Sequence, residues 1–242
     1  MKWYLYAFAA GRPDGLPRGL GGRTVLVPVV HETCLLVSDW DEDQAPPLSA
    51  ETALAHEGVI EAAMREVAVL PCRFGTLVDP EFCRGYVAAH SGSIRARLQR
   101  VSGQVEVTVK LFDRAEGGGA VCDNPPRSGT AYLLRKQMEV HAEQARSERV
   151  RRLADEIDSV LAPWATDRCR EFTPGRGALV ALSYLIPKEA VAPWAEAAAG
   201  LRGRFPAYDV LATGPWPPYH FAEVTPSGGG NAESHPGAAC ER

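Results

Sequence analysis

Residues 211–221 have the sequence LATGPWPPYHF, in which a short apolar run is followed by three prolines and three aromatic residues. Residues 208–212 predict a strand, which we expect to end at Gly214 and Pro215 because proline lacks the N–H that a sheet ladder needs. The prolines hold the next residues near polyproline II geometry, which leaves little entropy to lose on docking. Such a stiff aromatic segment either packs on its own domain or is bound by another protein.

The composition is that of an ordinary globular protein. The 242 residues are 45% hydrophobic and 23% charged, with a formal net charge of −4 and a pI near 5.9. The negative net charge argues against a general nucleic-acid or anionic-membrane partner. The sequence has no apolar run of about 18 residues, so it predicts no membrane-spanning helix. The aromatic residues 2–10 are followed by Gly11 and Pro13, so they fit a first strand better than a signal peptide. We therefore expect a cytoplasmic protein.

The first part of the chain predicts an N-terminal domain of mixed strands and helices over residues 1–102. Three apolar strands are expected before residue 40, at 3–9, 24–31 and 33–38. The last two form a hairpin that turns near Glu32, with Pro28 either facing away from its partner strand or marking a bulge. Helices are expected at 49–67, with Ser49 as the N-cap, and at 79–101, with a short strand between them at 69–74.

Residues 103–221 predict a second domain with the ferredoxin-like order β-α-β-β-α-β, so the fold class is α+β with two domains. In the strand at 104–112, alternating apolar residues face one side while Glu106, Thr108 and Lys110 face the other, which indicates half burial. A helix at 129–161 would be about 50 Å long, so one end should project or reach the first domain. The remaining elements are strands at 168–173, 178–186 and 208–212 and a helix at 187–200. Residues 222–242 are expected to be a disordered tail.

The sequence contains no combination of residues that is typical of a catalytic, cofactor or metal site. His56-Glu57 lacks the second histidine of a zinc-protease motif because Ile60 occupies that position, so a solvated helix face is the better interpretation. The glycine runs at 21–22 and 117–119 lack the Gly-Lys-Ser/Thr ending of a phosphate loop. The six cysteines include no Cys-x-x-Cys pair, so we expect buried, reduced thiols.

Four stretches resemble the gas vesicle protein F/L family (GvpF/GvpL). Gly214-Pro215-Trp216-Pro217-Pro218-Tyr219-His220-Phe221 resembles its C-terminal signature, a Gly-Pro-Trp-Pro-Pro-Tyr run that ends in Phe. The others follow in the family's order and resemble its opening strand (residues 4–7), its Leu-Pro-x-Arg-Phe-Gly-Thr segment (69–76) and its Gly-x-Ala-Tyr-Leu helix start (129–133). The resemblance spans residues 4–221, and Cys72 and His220 stand where other residues are common.

The resemblance implies a non-enzymatic accessory or minor structural protein of gas vesicles, without a cofactor. It would bind the hydrophobic shell protein and other accessory proteins, support nucleation and assembly, and be found in the cytoplasm during assembly and at the vesicle. The motif residues expected to contact a partner or to fasten the C-terminal domain are Arg73, Phe74, Tyr132, Pro215, Trp216, Pro217, Pro218, Tyr219 and Phe221.

Two alternatives stay open at this point. The aromatic-proline segment could be a partner interface or a plug that closes the core of its own domain. The protein could also be a ferredoxin-like small-ligand-binding protein or an enzyme, since that fold hosts many unrelated functions. A deep pocket lined by His31, His56 or His90 would favour the second alternative.

Overall fold

The computed structural model describes residues 1–41, 46–114, 129–172 and 178–222. The strands in these residues are β1 (Lys2–Ala9), β2 (Val29–Val30), β3 (Thr33–Trp40), β4 (Val69–Pro71), β5 (Leu77–Val78), β6 (Gln104–Asp113), β7 (Asp167–Glu171), β8 (Ala178–Pro187) and β9 (Tyr208–Trp216). The α-helices are α1 (Ala50–Glu66), α2 (Pro80–Val101), α3 (Gly129–Leu161), α4 (Val191–Arg204) and α5 (Tyr219–Ala222). The α+β prediction is confirmed, and the predicted tail beyond Ala222 lies outside the described residues.

The aromatic strand β1 is the centre of the first sheet, whose order is β2-β3-β1-β4 with β5 also paired to β1. The pairings of β1 with β3, β4 and β5 are antiparallel. From Trp3 to Ala9 every residue of β1 is buried. Tyr4 packs in one cluster with α1, whereas the Arg84 guanidinium of α2 lies over the Trp3 ring. Since neighbouring side chains of a strand point to opposite faces, α1 and α2 cover the two faces of this sheet.

The hairpin between β2 and β3 turns at His31 and Glu32, as predicted. Both residues have positive φ angles, 45° and 66°, the combination of a type I′ turn that matches the twist of the strands. Both alternatives for Pro28 are wrong. Its carbonyl accepts a hydrogen bond from the Leu35 N–H (2.9 Å) and so faces β3. The pairing also keeps one register from Leu26 to Val30, without a bulge. Proline lacks only the backbone N–H, and its carbonyl can still accept a hydrogen bond from the neighbouring strand.

Local capping signals set the starts of α1 and α2. The Ser49 hydroxyl accepts from the Thr52 N–H (3.2 Å), and the Thr52 hydroxyl accepts from the Ser49 N–H (2.9 Å), which completes a capping box. Asp79 Oδ1 accepts from the N–H groups of Glu81 and Phe82, both at 2.9 Å, and Pro80 occupies the first turn. Both helices therefore begin where the sequence predicts.

The second sheet has the order β7-β8-β6-β9. Its two βαβ units are β6-α3-β7 and β8-α4-β9, and each has a strand of the other unit between its own two strands. This is the split arrangement of a ferredoxin-like sheet, as predicted. Along α3, the described side chains at 136–149 are exposed apart from a partly exposed Arg146, whereas Val150, Leu153, Ile157 and Leu161 are buried.

Two predictions about these strands are wrong. β9 does not end before Gly214 but continues to Trp216, because it is an edge strand, where a proline is tolerated. Of the three residues predicted on the polar face, Glu106 and Thr108 do not face solvent, since they are only 3% and 6% exposed, whereas Lys110 is exposed as predicted. Both have polar partners that compensate their burial: the Thr108 and Ser183 hydroxyls lie 2.9 Å apart, and Glu106 binds His220 as described below.

The described residues divide into two compact units. The first comprises the described residues among 1–106, 185–188 and 214–222, and the second comprises those among 107–184 and 189–213. The domain limits at 1–102 and 103–221 stay a prediction, but the contacts of residues 214–222 group this segment with the N-terminal unit. Sequence order had placed it at the end of the C-terminal domain.

Candidate functional site: the motif cluster

Three of the four stretches that carry the family resemblance lie together in the first unit. The Gly75 N–H donates to the Tyr4 hydroxyl (3.0 Å), and the Tyr4 and Phe74 rings are 6.2 Å apart in an edge-on arrangement. Tyr219 and Phe74 both pack against the buried cluster that contains Tyr4 and Val69. We call Tyr4, His56, Glu57, Phe74 and Tyr219 the motif cluster. The side chain of Tyr132, in the fourth stretch, lies outside the described residues.

A buried histidine links α1 to two of these stretches. His56 Nε2 lies 3.2 Å from the Cys72 carbonyl, which can only accept, so Nε2 carries the proton. Nδ1 then accepts from the Tyr4 hydroxyl at 3.0 Å. The side chain is 3% exposed, and this burial lowers the pKa of His56 to about 4. The interpretation as a solvated helix face is therefore wrong, although the spacing of His56 with Val59, Ile60 and Ala63 could have indicated a buried face.

The burial of neutral His56 makes the stability of the fold depend on pH. In the unfolded chain the pKa of His56 is near 6.5, whereas in the folded chain it is about 4. As the pH falls, His56 is therefore protonated in the unfolded chain first. The contribution of His56 is therefore complete above about pH 6.5 and is lost towards pH 4, on the order of 3 kcal/mol in all. Urea unfolding at pH 7, 5.5 and 4.5 should show this slope, and His56→Gln should flatten it. The control His90→Gln changes an exposed histidine and should keep the dependence of stability on pH. If both variants show the same dependence, buried His56 is not its source.

The segment after β9 turns inward at two prolines and ends in a buried helical turn. Pro217 and Pro218 are buried, and Phe221 and Ala222 are only 5% and 2% exposed. The Tyr219 hydroxyl lies 3.5 Å from Glu57 Oε2. Burial raises the pKa of Tyr219, and the Glu57 carboxylate beside it raises it further. Burial also raises the pKa of Glu57, as does the charge of Glu61.

Glu106 holds the same segment through two contacts with one residue. The His220 backbone N–H donates to Glu106 Oε2 (3.0 Å), and His220 Nδ1 contacts Glu106 Oε1. The side chain of Glu106 is 4% exposed, so its carboxylate depends on these partners to compensate the lost hydration. Sequence reasoning missed Glu106 as a site residue, because strict alternation along β6 placed it on the polar face.

The remaining motif residues face solvent. Arg73 and Pro215 are exposed, and Trp216 keeps 40% of its surface accessible. Arg73 makes no ion pair within the described residues, although its carbonyl accepts from the Thr76 hydroxyl (2.7 Å). The residues predicted for partner contact or fastening thus divide into an inner group (Phe74, Pro217, Pro218, Tyr219 and Phe221) and an outer group (Arg73, Pro215 and Trp216). Their roles stay a prediction.

The other polar candidates do not converge on one centre. His90 stacks on Tyr86 with ring centroids 4.3 Å apart, His31 lies in the β2–β3 turn, and His56 is enclosed. Across the described ranges, no group of three or more His, Cys, Asp or Glu residues could hold a metal ion, and no helix is long and apolar enough to cross a membrane.

Cys34, Cys72 and Cys83 are buried free thiols. Cys169 is disulfide-bonded, so the prediction of a reduced thiol is wrong there, since spacing alone does not show which sulfurs the fold brings together.

Comparisons with known proteins agree with this picture. The model of a family described as gas vesicle synthesis protein GvpL/GvpF matches residues 2–223. Gas vesicle protein F of Streptomyces sp. (strain CB03234) is 28% identical over 240 residues, which cover 92% of this chain and 100% of that protein. Gas vesicle protein L of the same strain is 30% identical over 256 residues, with 90% and 92% covered.

Two crystal structures share the fold. GvpF from Anabaena sp. PCC7120 superposes with a TM-score of 0.70 at 20% identity, over 93% of this chain and 99% of that one. GvpF from Microcystis aeruginosa gives a TM-score of 0.75 at 18% identity, over 92% and 99%.

Proposed function

Since the chain belongs to the gas vesicle synthesis protein GvpL/GvpF family, we propose that it is a non-enzymatic accessory protein that binds the hydrophobic shell protein and supports vesicle nucleation and assembly. The family match over residues 2–223 is the observation that carries this proposal. The partners are the shell protein and other accessory proteins, and the protein acts in the cytoplasm during assembly and at the vesicle. A folded protein of this kind would cover the apolar face of the shell subunit before it joins the wall.

Within this function, the aromatic-proline segment has two parts. The inner residues Tyr219 and Phe221 fasten the segment, because they are packed in the first unit and their neighbour His220 binds Glu106. The outer residues Pro215 and Trp216 are available to a partner, because their side chains reach solvent. Tryptophan is also one of the side chains enriched among the residues that dominate binding interfaces. In this proposal, the inner residues close the core of their own unit, and the outer residues form the partner interface.

The test is a pull-down of the tagged full-length chain, co-expressed with the shell protein and the other accessory proteins. We expect specific retention of the shell protein. Trp216→Ala should reduce that retention on the order of tenfold while leaving the protein folded. Met138→Ala is the matched control, because Met138 is an exposed apolar residue (72%) on α3, and it should bind as the unsubstituted chain does. If nothing is retained although all components are soluble, the proposal is wrong.

A further inference from the structure

The backbone on either side of Trp216 holds its side chain in place. Within the described ranges the indole N–H makes no hydrogen bond, and 40% of the side chain is accessible. On one side, Trp216 is the last residue of β9, which pairs with β6. On the other side Pro217 follows directly, and a residue that precedes a proline is restricted to extended conformations. The position of the Trp216 ring therefore depends on where the next residues are fixed.

Those next residues form a short, stiff turn. The Tyr219 N–H donates to the Pro217 carbonyl (2.8 Å), and the Phe221 N–H donates to the Pro218 carbonyl (3.2 Å). Each proline ring also fixes its own φ angle. Few soft dihedral angles are left in the turn, so a shift at one end is passed on to the other. Trp216 must then move when the turn moves.

Glu106 anchors this turn through His220. Glu106 Oε2 accepts from the His220 backbone N–H (3.0 Å), and Glu106 Oε1 is contacted by His220 Nδ1. The first contact fixes the backbone of the turn, and the second fixes the orientation of the ring. Because the carboxylate is only 4% exposed, water does not readily replace a lost contact. Glu106 also lies in β6, so one strand holds the chain on both sides of Trp216.

We propose that Glu106 is a positioning residue for partner binding, because it holds the turn that presents Trp216 to the shell protein. This inference rests on the proposed function, in which Trp216 contacts that partner. Glu106 is buried and acts through His220 rather than by touching the partner. A side chain that is already held in its bound position loses less conformational entropy on binding, so the anchor strengthens the contact that Trp216 makes.

Acrylamide quenching of tryptophan fluorescence in the full-length chain measures the exposure of Trp216 without any partner. Three of the five tryptophans are buried, namely Trp3, Trp40 and Trp194. The fourth, Trp164, is 39% exposed, so Trp164→Phe leaves Trp216 as the accessible tryptophan. In this background, a change in the quenching constant reports a change at Trp216.

Glu106→Leu in this background removes both acceptors and keeps a side chain of similar volume. We expect the quenching constant to rise on the order of twofold, because the turn is released and opens locally. Glu106→Gln keeps an acceptor for the His220 N–H and should restore the original constant. If Glu106→Leu does not fold, His220→Ala takes its place, since it removes only the contact of a ring that is 34% exposed and should raise the constant less.

A stability measurement separates positioning from folding. Replacing a buried charged group by an apolar side chain of similar volume is often neutral for stability. We therefore expect Glu106→Leu to expose Trp216 without a matching loss in the free energy of unfolding. Thr108→Val is the matched control, because Thr108 is a buried polar residue of the same strand that bonds Ser183 (2.9 Å). It should leave the quenching constant unchanged whatever it does to stability.

The pull-down with the shell protein tests the consequence for binding. Retention should fall about threefold to tenfold in Glu106→Leu and stay unchanged in Glu106→Gln and Thr108→Val. An unchanged quenching constant in Glu106→Leu, or unchanged retention despite a raised constant, overturns the inference. If the unsubstituted chain retains no shell protein, the proposed function fails, and the quenching constant still decides separately whether Glu106 positions Trp216.

Discussion

Replacing Asp158 with alanine is expected to lower the free energy of unfolding by about 3–5 kcal/mol. Asp158 lies on the buried side of α3 and is 3% exposed. Its carboxylate accepts from the Tyr184 hydroxyl (2.8 Å) and from Arg168 (3.0 Å), and it also binds Arg170. Removing it leaves the buried Tyr184 hydroxyl without this acceptor, and it leaves the Arg170 guanidinium, which is 22% exposed, with one carboxylate partner instead of two.

Asp155 provides the matched control for this variant. It also binds Arg170, at 2.7 Å, but its side chain is 65% exposed. An exposed ion pair is screened by water and contributes about 1 kcal/mol or less, so Asp155→Ala should change stability little. Urea unfolding followed by circular dichroism measures both variants. If Asp158→Ala and Asp155→Ala lower the free energy of unfolding equally, burial of Asp158 is not the reason for the expected loss.

Phe221→Ala is expected to cost about 3–5 kcal/mol as well, because it removes a ring that is 5% exposed from the first unit. The loss also loosens the turn that presents the His220 N–H to the buried carboxylate of Glu106. Thermal and urea unfolding measure the effect.

Trp216→Ala is the control within the same segment. Trp216 is 40% exposed, so its truncation should change the free energy of unfolding by about 1 kcal/mol or less. The proposed division of the segment therefore predicts opposite patterns: Phe221→Ala lowers stability, and Trp216→Ala lowers retention of the shell protein. A large stability loss from Trp216→Ala, with none from Phe221→Ala, would reverse the assignment of inner and outer residues.

The sequence by itself determined the local elements and the family. Ser49 predicted the start of α1, because a capping side chain acts within three residues of its own position. The period of apolar residues predicted α3 and the strands of the ferredoxin-like order, since it depends only on neighbours along the chain. The motifs at 69–76 and 214–221 identified the family, which the match over residues 2–223 confirms.

Only the tertiary structure decided which polar side chains are buried and where the last segment packs. His56, Glu106 and Asp158 each stand at a position where a hydrophilic residue predicts exposure, yet each is buried against a partner. The physical reason is that burial of a polar group depends on a compensating contact, and that contact can come from anywhere in the chain. His220 lies 114 residues from Glu106, and the Tyr4 hydroxyl lies 52 residues from His56. Helical and strand periods carry no information at those separations, so the division of the motif residues into an inner and an outer group appears only once the chain is folded.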